Sequence, residues 1–217
     1  MSPPSPLPSR RVRRGTNSDA TASCDGRGFV YVAVCSGAED ILKVGLSHDP
    51  VARWSAFHRR WFEAFDLDHS LLLQVDTRRE AQALETALHR LLRDHNCPAP
   101  MTVRDQFGGS TEWYRGAYDD ALAFAQAAAR EGHRLHWPAR PWFAHAMQGR
   151  AEILAGLIDQ AVRDIAGGAM SRAQYDALTD LIDAHRAFDE GIPERFSTEL
   201  TRLRQLRAEA WPRCPQA

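Results

Sequence analysis

A phenol, an ammonium, a guanidinium and a carboxylate follow one another through the first half of the chain as Tyr31, Lys43, Arg53 and Glu85, with His89 four residues after the carboxylate. If residues 85 to 89 are helical, that spacing puts His89 on the same face as Glu85. Taken singly, each has an ordinary explanation: a half-buried strand aromatic, a surface helix charge, a solvated i,i+4 pair. As an ordered set they supply what phosphodiester hydrolysis demands. A group must deprotonate or orient water, positive charge must meet the pentavalent transition state, and a metal must neutralise the leaving oxygen. Lys43 is also the sole lysine among 27 basic residues. Drift toward arginine accounts for the others, while this exception falls inside the motif.

These groups can meet only if the elements carrying them fold together. Phe29-Val30-Tyr31-Val32-Ala33-Val34-Cys35 is a β-branched and aromatic run, and the turn-like Ser36 to Asp40 leads to Ile41-Leu42-Lys43-Val44-Gly45, which predicts a β-hairpin. Asp49-Pro50 opens a helix carrying Arg53, Trp54, Phe57 and His58. A third strand is expected at His69 to Val75. Thr77 and Glu80 form a capping box, and Ala81, Leu84, Leu88, Leu91 and Leu92 follow at helical spacing, so Glu85 and His89 lie on a helix. Residues 97 to 110 form a loop, Glu112-Trp113-Tyr114 suits a short edge strand, and Tyr118 to Arg130 is an Ala-rich helix closed by Gly132.

The expected fold class is α+β, a small three-stranded mixed or antiparallel sheet flanked by helices and followed by an all-helical unit. Residues 1 to 26 carry Arg10, Arg11, Arg13 and Arg14 but almost nothing apolar, so they are expected to form a disordered basic tail. The sheet domain spans 27 to 132, a Pro/Trp/His-rich linker 133 to 143, and the helical unit 144 to 217. Three amphipathic helices are expected there, near 144 to 166, 171 to 188 and 193 to 210.

The motifs Gly28-Phe29-Val30-Tyr31, Lys43-Val44-Gly45 after eleven intervening residues, Arg53, Leu84-Glu85-Thr86-Ala87-Leu88-His89 and Glu112-Trp113-Tyr114 resemble the GIY-YIG endonuclease superfamily, in particular its phage and bacterial branch. The resemblance covers about a hundred residues. It implies that the Tyr31 hydroxyl activates or orients water, that Arg53 clamps the scissile phosphate, and that Glu85 ligates one divalent ion, Mg2+ or Mn2+. Lys43 stands where that superfamily usually has a second tyrosine, and an ammonium there touches phosphate without copying a phenol's proton transfer. His89 is a further catalytic candidate; Gly45, His58 and Tyr114 are candidates for substrate binding. Trp113 is expected in the core, and His133, His136 and His145 in core or surface roles.

Hydrophobic content of 44% and charged content of 25% exclude wholesale disorder. Cys24, Cys35, Cys97 and Cys214 form no C-x-x-C pair, which argues against a zinc ribbon or a disulfide framework and fits a cytoplasmic protein. No apolar run approaches the ~20 residues that span a bilayer. The net charge of −1 means that contact with a polyanion must rest on local basic patches.

Three functions stay open at this point. The first is a divalent-metal-dependent endonuclease acting on DNA, single-stranded or branched forms included. The second is a catalytically weak nucleic-acid-binding module. The third is a helical interaction protein whose C-terminal helices join a homodimer or a protein partner.

Overall fold

The computed structural model describes residues 28–37, 39–101, 103 and 111–211. The basic tail expected at residues 1 to 26 lies outside them. The chain divides into two compact units, Met1–Trp142 and Phe143–Ala217.

In the first unit β1 (Gly28–Cys35), β2 (Ile41–Ser47), α1 (Pro50–Phe57), α2 (Trp61–Ala64), β3 (Phe65–Val75) and α3 (Arg78–Leu91) follow in order. After a 3-10 turn at Arg93–His95 come β4 (Trp113–Arg115), α4 (Tyr118–Arg130) and β5 (Arg134–His136). The strands form one sheet in the order β4-β2-β1-β3-β5, every pairing antiparallel. The sheet is therefore five-stranded, not three-stranded. One addition, β4, is the short edge strand read at Glu112-Trp113-Tyr114; the other, β5, has three residues, too few for alternation to declare a strand. β5 falls in the segment read as a linker and pairs with β3 through Leu72 to Gln74.

Local chemistry fixes the connections. Asp49 caps α1 by accepting the Ala52 backbone N–H, with Pro50 at its first turn. Thr77 caps α3 by accepting from the Glu80 N–H, while the Glu80 carboxylate takes the Asp76 N–H instead of completing the reciprocal box. β3 starts at Phe65, earlier than expected, and its pairing with β1 shifts between Val32 and Val34. There the Ser70 hydroxyl accepts the Val34 N–H at 3.0 Å, satisfying a donor that the irregular ladder would otherwise leave open.

Strand alternation gives the sheet two unlike faces. One is aliphatic: Val30, Val32, Leu42, Val44, Leu71 and Leu73 pack with Ala81, Leu84 and Leu88 of α3 and the alanines of α4. The other holds Tyr31, Lys43 and Gly45, with Trp54 and Phe57 of α1 packed on Tyr31.

α5 (Arg140–Gln148) straddles the division between the units. α6 (Ala151–Ala166), α7 (Arg172–Arg186), α8 (Ile192–Arg195) and α9 (Ser197–Ala210) complete the chain's described elements. The first helix expected in this region is broken at Gly149 and Arg150, where glycine's low helix propensity favours an interruption. Leu154, Ile158, Ala161 and Ile165 of α6 form a stripe at helical spacing and share a core with Leu178 and Ile182 of α7 and Leu200, Leu203 and Leu206 of α9. Ser171 and Gln174 complete a capping box at the start of α7.

Candidate active site

Tyr31 lies directly across from Gly45 in the β1–β2 pairing, and its ring runs over that glycine. A Cβ on Gly45 would overlap the phenol, sitting 2.6 Å from Cζ, so the glycine is there for close approach and not for a turn. The ring is wholly buried, edge-on to Trp54 with centroids 6.2 Å apart. Its hydroxyl accepts a long hydrogen bond of 3.4 Å from Arg53 Nε. Burial pushes the phenol up to about 12, against the hydrogen bond and charge of Arg53, which pull it down; Glu112 and Glu85 push it further up. At neutral pH Tyr31 is a protonated hydroxyl.

Lys43 is opposite Ala33 on β1, two residues from Tyr31, and so shares the Tyr31 face. Its side chain is 1% exposed. The ammonium lies 5.0 Å from the Trp113 ring centre, 5.3 Å from that of Phe57, and donates a hydrogen bond of 3.0 Å to Glu112 Oε2. Burial pulls its pKa down, Glu112 opposes this by hydrogen bond and charge, and Arg53 adds to the lowering. Arg53 stacks its guanidinium 4.8 Å from the Phe57 centre. Phe57 thus has two cations against one ring.

α3 packs its apolar stripe on the aliphatic side, opposite Tyr31. The polar flank of that helix runs along the edge strand β4: His89 Nε2 is 3.9 Å from Glu85 Oε1, and His89 Nδ1 is 2.7 Å from the Tyr114 hydroxyl. The Glu85 charge still reaches across, raising the proton affinity of Tyr31, Lys43 and Tyr114. The arrangement is a Tyr31–Arg53–Lys43 group on one face and, from α3 and β4, a Glu85–His89–Tyr114 group whose carboxylate acts on Tyr31 and Lys43, with Glu112 contributing to both fields. Two carboxylates, Glu85 and Glu112, therefore act on the Tyr31 phenol and the Lys43 ammonium beside the charge of Arg53.

His58 is not brought to this cluster by any contact. Its Nδ1 accepts the Arg60 backbone N–H at 3.1 Å, and it lines a groove of about 750 Å3 whose walls include none of Tyr31, Lys43, Arg53 or Glu85. Trp113 is buried, as expected, and is a wall for Lys43. Of the other histidines, His133 is buried and His136 half-buried, with Nε2 3.1 Å from Gln74 Oε1. The residue that sequence reasoning left without a role is Glu112. The signal for it was its place just before Trp113-Tyr114.

Among the described residues no three His, Cys, Asp or Glu side chains gather so as to hold a metal ion between them. No described helix is long and apolar enough to cross a membrane.

A model of the T5orf172 domain matches residues 28–129, just under half of the chain. That span holds every candidate residue named above. It also corrects the resemblance drawn from the motifs: the match is to a different endonuclease-like family, and no GIY-YIG model matches. A nuclease-like, DNA-binding domain is in keeping with a protein that acts on nucleic acid. No curated protein and no solved structure matches the chain.

Proposed function

We propose that the chain is a divalent-metal-dependent endonuclease that hydrolyses phosphodiester bonds in DNA. The observation that carries this reading is the burial of a phenol and an ammonium on one face, with the half-buried guanidinium of Arg53 against them, under the influence of two carboxylates. Burying cations is costly unless they are paired, and an aliphatic pair of faces would hold this small sheet together without them. The cost makes sense if the charges meet a phosphate.

Arg53, presented by α1 and stacked on Phe57, clamps the phosphate through its planar fork. Lys43 adds a fixed positive charge. Tyr31, held protonated, orients the attacking water instead of abstracting its proton, because a phenol with a pKa near 12 is a poor base at neutral pH. Mg2+ or Mn2+ keeps several waters and needs only one or two protein carboxylates, a demand that Glu85, with a side chain 17% exposed, meets. When bound, the ion supplies neutralisation of the leaving oxygen. His89, braced by Tyr114, orients the Glu85 carboxylate.

The test is incubation of the purified chain with labelled single-stranded, duplex and branched DNA in Mg2+, Mn2+ or EDTA. Cleavage with either metal and none in EDTA is the expected result. Binding without cleavage in every condition would favour a nucleic-acid-binding module. A protein contact is carried by a separate observation: Ile153 and Leu157, one turn apart on α6, are 63% and 43% exposed. We assign that pair to a homodimer or partner contact.

A further inference from the structure

We propose that Glu112 is a positioning residue, holding the Lys43 ammonium in place and charged on the Tyr31 face, so that the chain's one lysine lends the phosphate site a fixed positive charge from within the fold. The inference rests on the nuclease reading for its purpose but not for its geometry. Lys43 is enclosed by the Phe57 and Trp113 rings, and the Glu112 carboxylate is 3.0 Å from Nζ. Glu112 is itself placed by the sheet, since its backbone carbonyl accepts the Val44 N–H at 3.1 Å, one residue along from Lys43. Carboxylate and ammonium are thus carried by adjoining positions of two paired strands, β2 and the entry to β4, and cannot drift apart without breaking the sheet edge. The Glu112 side chain is 32% exposed while that of Lys43 is 1% exposed, so the carboxylate is the member of the pair that reaches solvent. The charged groups acting on Lys43 are Glu112, Arg53 and Glu85, with the Tyr31 phenol on the same face. Arg53 opposes the charge on Lys43. Glu112 acts by hydrogen bond as well as charge, and Glu85 acts by charge.

An ammonium deprived of that carboxylate keeps its burial between two rings and the opposing charge of Arg53, and it loses its proton at lower pH. A Gln at 112 keeps the shape and the backbone bond but not the charge. Because Lys43 is the sole lysine, lysine labelled with 13C and 15N reports one side chain in the full-length protein. The experiment is the pH titration of that signal in the wild type, Glu112→Gln and Glu112→Asp, with cleavage followed across the same pH range and in Glu112→Gln/Lys43→Arg. The titration midpoint is expected to fall by about one unit or more in Glu112→Gln, and less in Glu112→Asp. Cleavage by Glu112→Gln should fail first at the alkaline end, and arginine, which does not deprotonate, should restore it there. An unchanged lysine midpoint in Glu112→Gln would overturn the proposal. A shifted midpoint in a chain that cleaves no DNA would uphold the role of Glu112 and sink the nuclease reading alone.

Discussion

The two faces of the sheet are built from the same strands, yet they solve different problems. The aliphatic face, with Val30, Val32, Leu42 and Val44 against Leu84 and Leu88, contains little but packing. The Tyr31 face replaces aliphatics with rings, from Trp54 and Phe57 to Trp113, and rings can do what leucines cannot: bury a cation against a quadrupole and wall in a hydroxyl. One face therefore packs the unit, and the other holds charge and a hydroxyl among rings. Substitutions on the two should separate folding from activity.

The largest expected effect is on the aliphatic side. Leu84→Ala removes a fully buried side chain from the α3 stripe and should cost about 2–5 kcal/mol in urea unfolding; a loss below about 1 kcal/mol would mean that α3 is not part of the core. On the other face Tyr31→Phe should behave in reverse. It removes one hydroxyl and a long hydrogen bond, so the unfolding free energy should change by only about 1 kcal/mol. Cleavage should fall roughly hundredfold or more, with DNA affinity little changed.

Gly45→Ala sits between these cases. Its methyl meets the Tyr31 ring, so about 1–3 kcal/mol of stability should go as the ring is displaced. Near-UV circular dichroism should report the moved aromatic, and an unchanged spectrum would contradict the close approach.

The smallest effect is a pH dependence in β5, where burial and Arg134 pull His136 down to about 4. Its neutral form is favoured on folding, while the unfolded residue titrates near the ordinary value of about 6.5. The stabilisation is complete above about 6.5 and is lost as pH falls toward 4, because the unfolded chain then binds the extra proton. Urea midpoints should decline across that window, and less steeply in His136→Gln; equal slopes would remove His136 as the cause.

The parts of this organisation that declared themselves in the sequence were those with a repeat or a cap. The β1–β2 run, the Asp49-Pro50 start and the Leu84/Leu88 stripe each carry a period or a capping pair that physics reads locally. β5 did not, since Arg134-Leu135-His136 offers one alternation and owes its strand state to pairing with β3. Gly45 was legible as part of a motif but not in its reason, because the ring that needs the space comes from fourteen positions earlier in the chain. Glu112 was hidden for the same cause, its partner Lys43 being a neighbour only across the sheet. Glu85 was legible on its helix, because the Thr77 cap and the Leu84/Leu88 stripe around it are local signals. The ordered motifs likewise suggested one endonuclease superfamily where the matching model is that of another domain, so short motifs specified the scaffold better than the lineage.

We propose that Glu85 and the Tyr31 face act together on a phosphodiester. Parallel measurement of DNA cleavage, DNA affinity and urea stability in Glu85→Gln tests it most directly. Cleavage should be abolished, affinity unchanged or slightly improved as a negative charge leaves the phosphate path, and stability close to that of the wild type. Cleavage that persists, or a protein that no longer folds, would show Glu85 to be a structural partner of His89 and would contradict the claim.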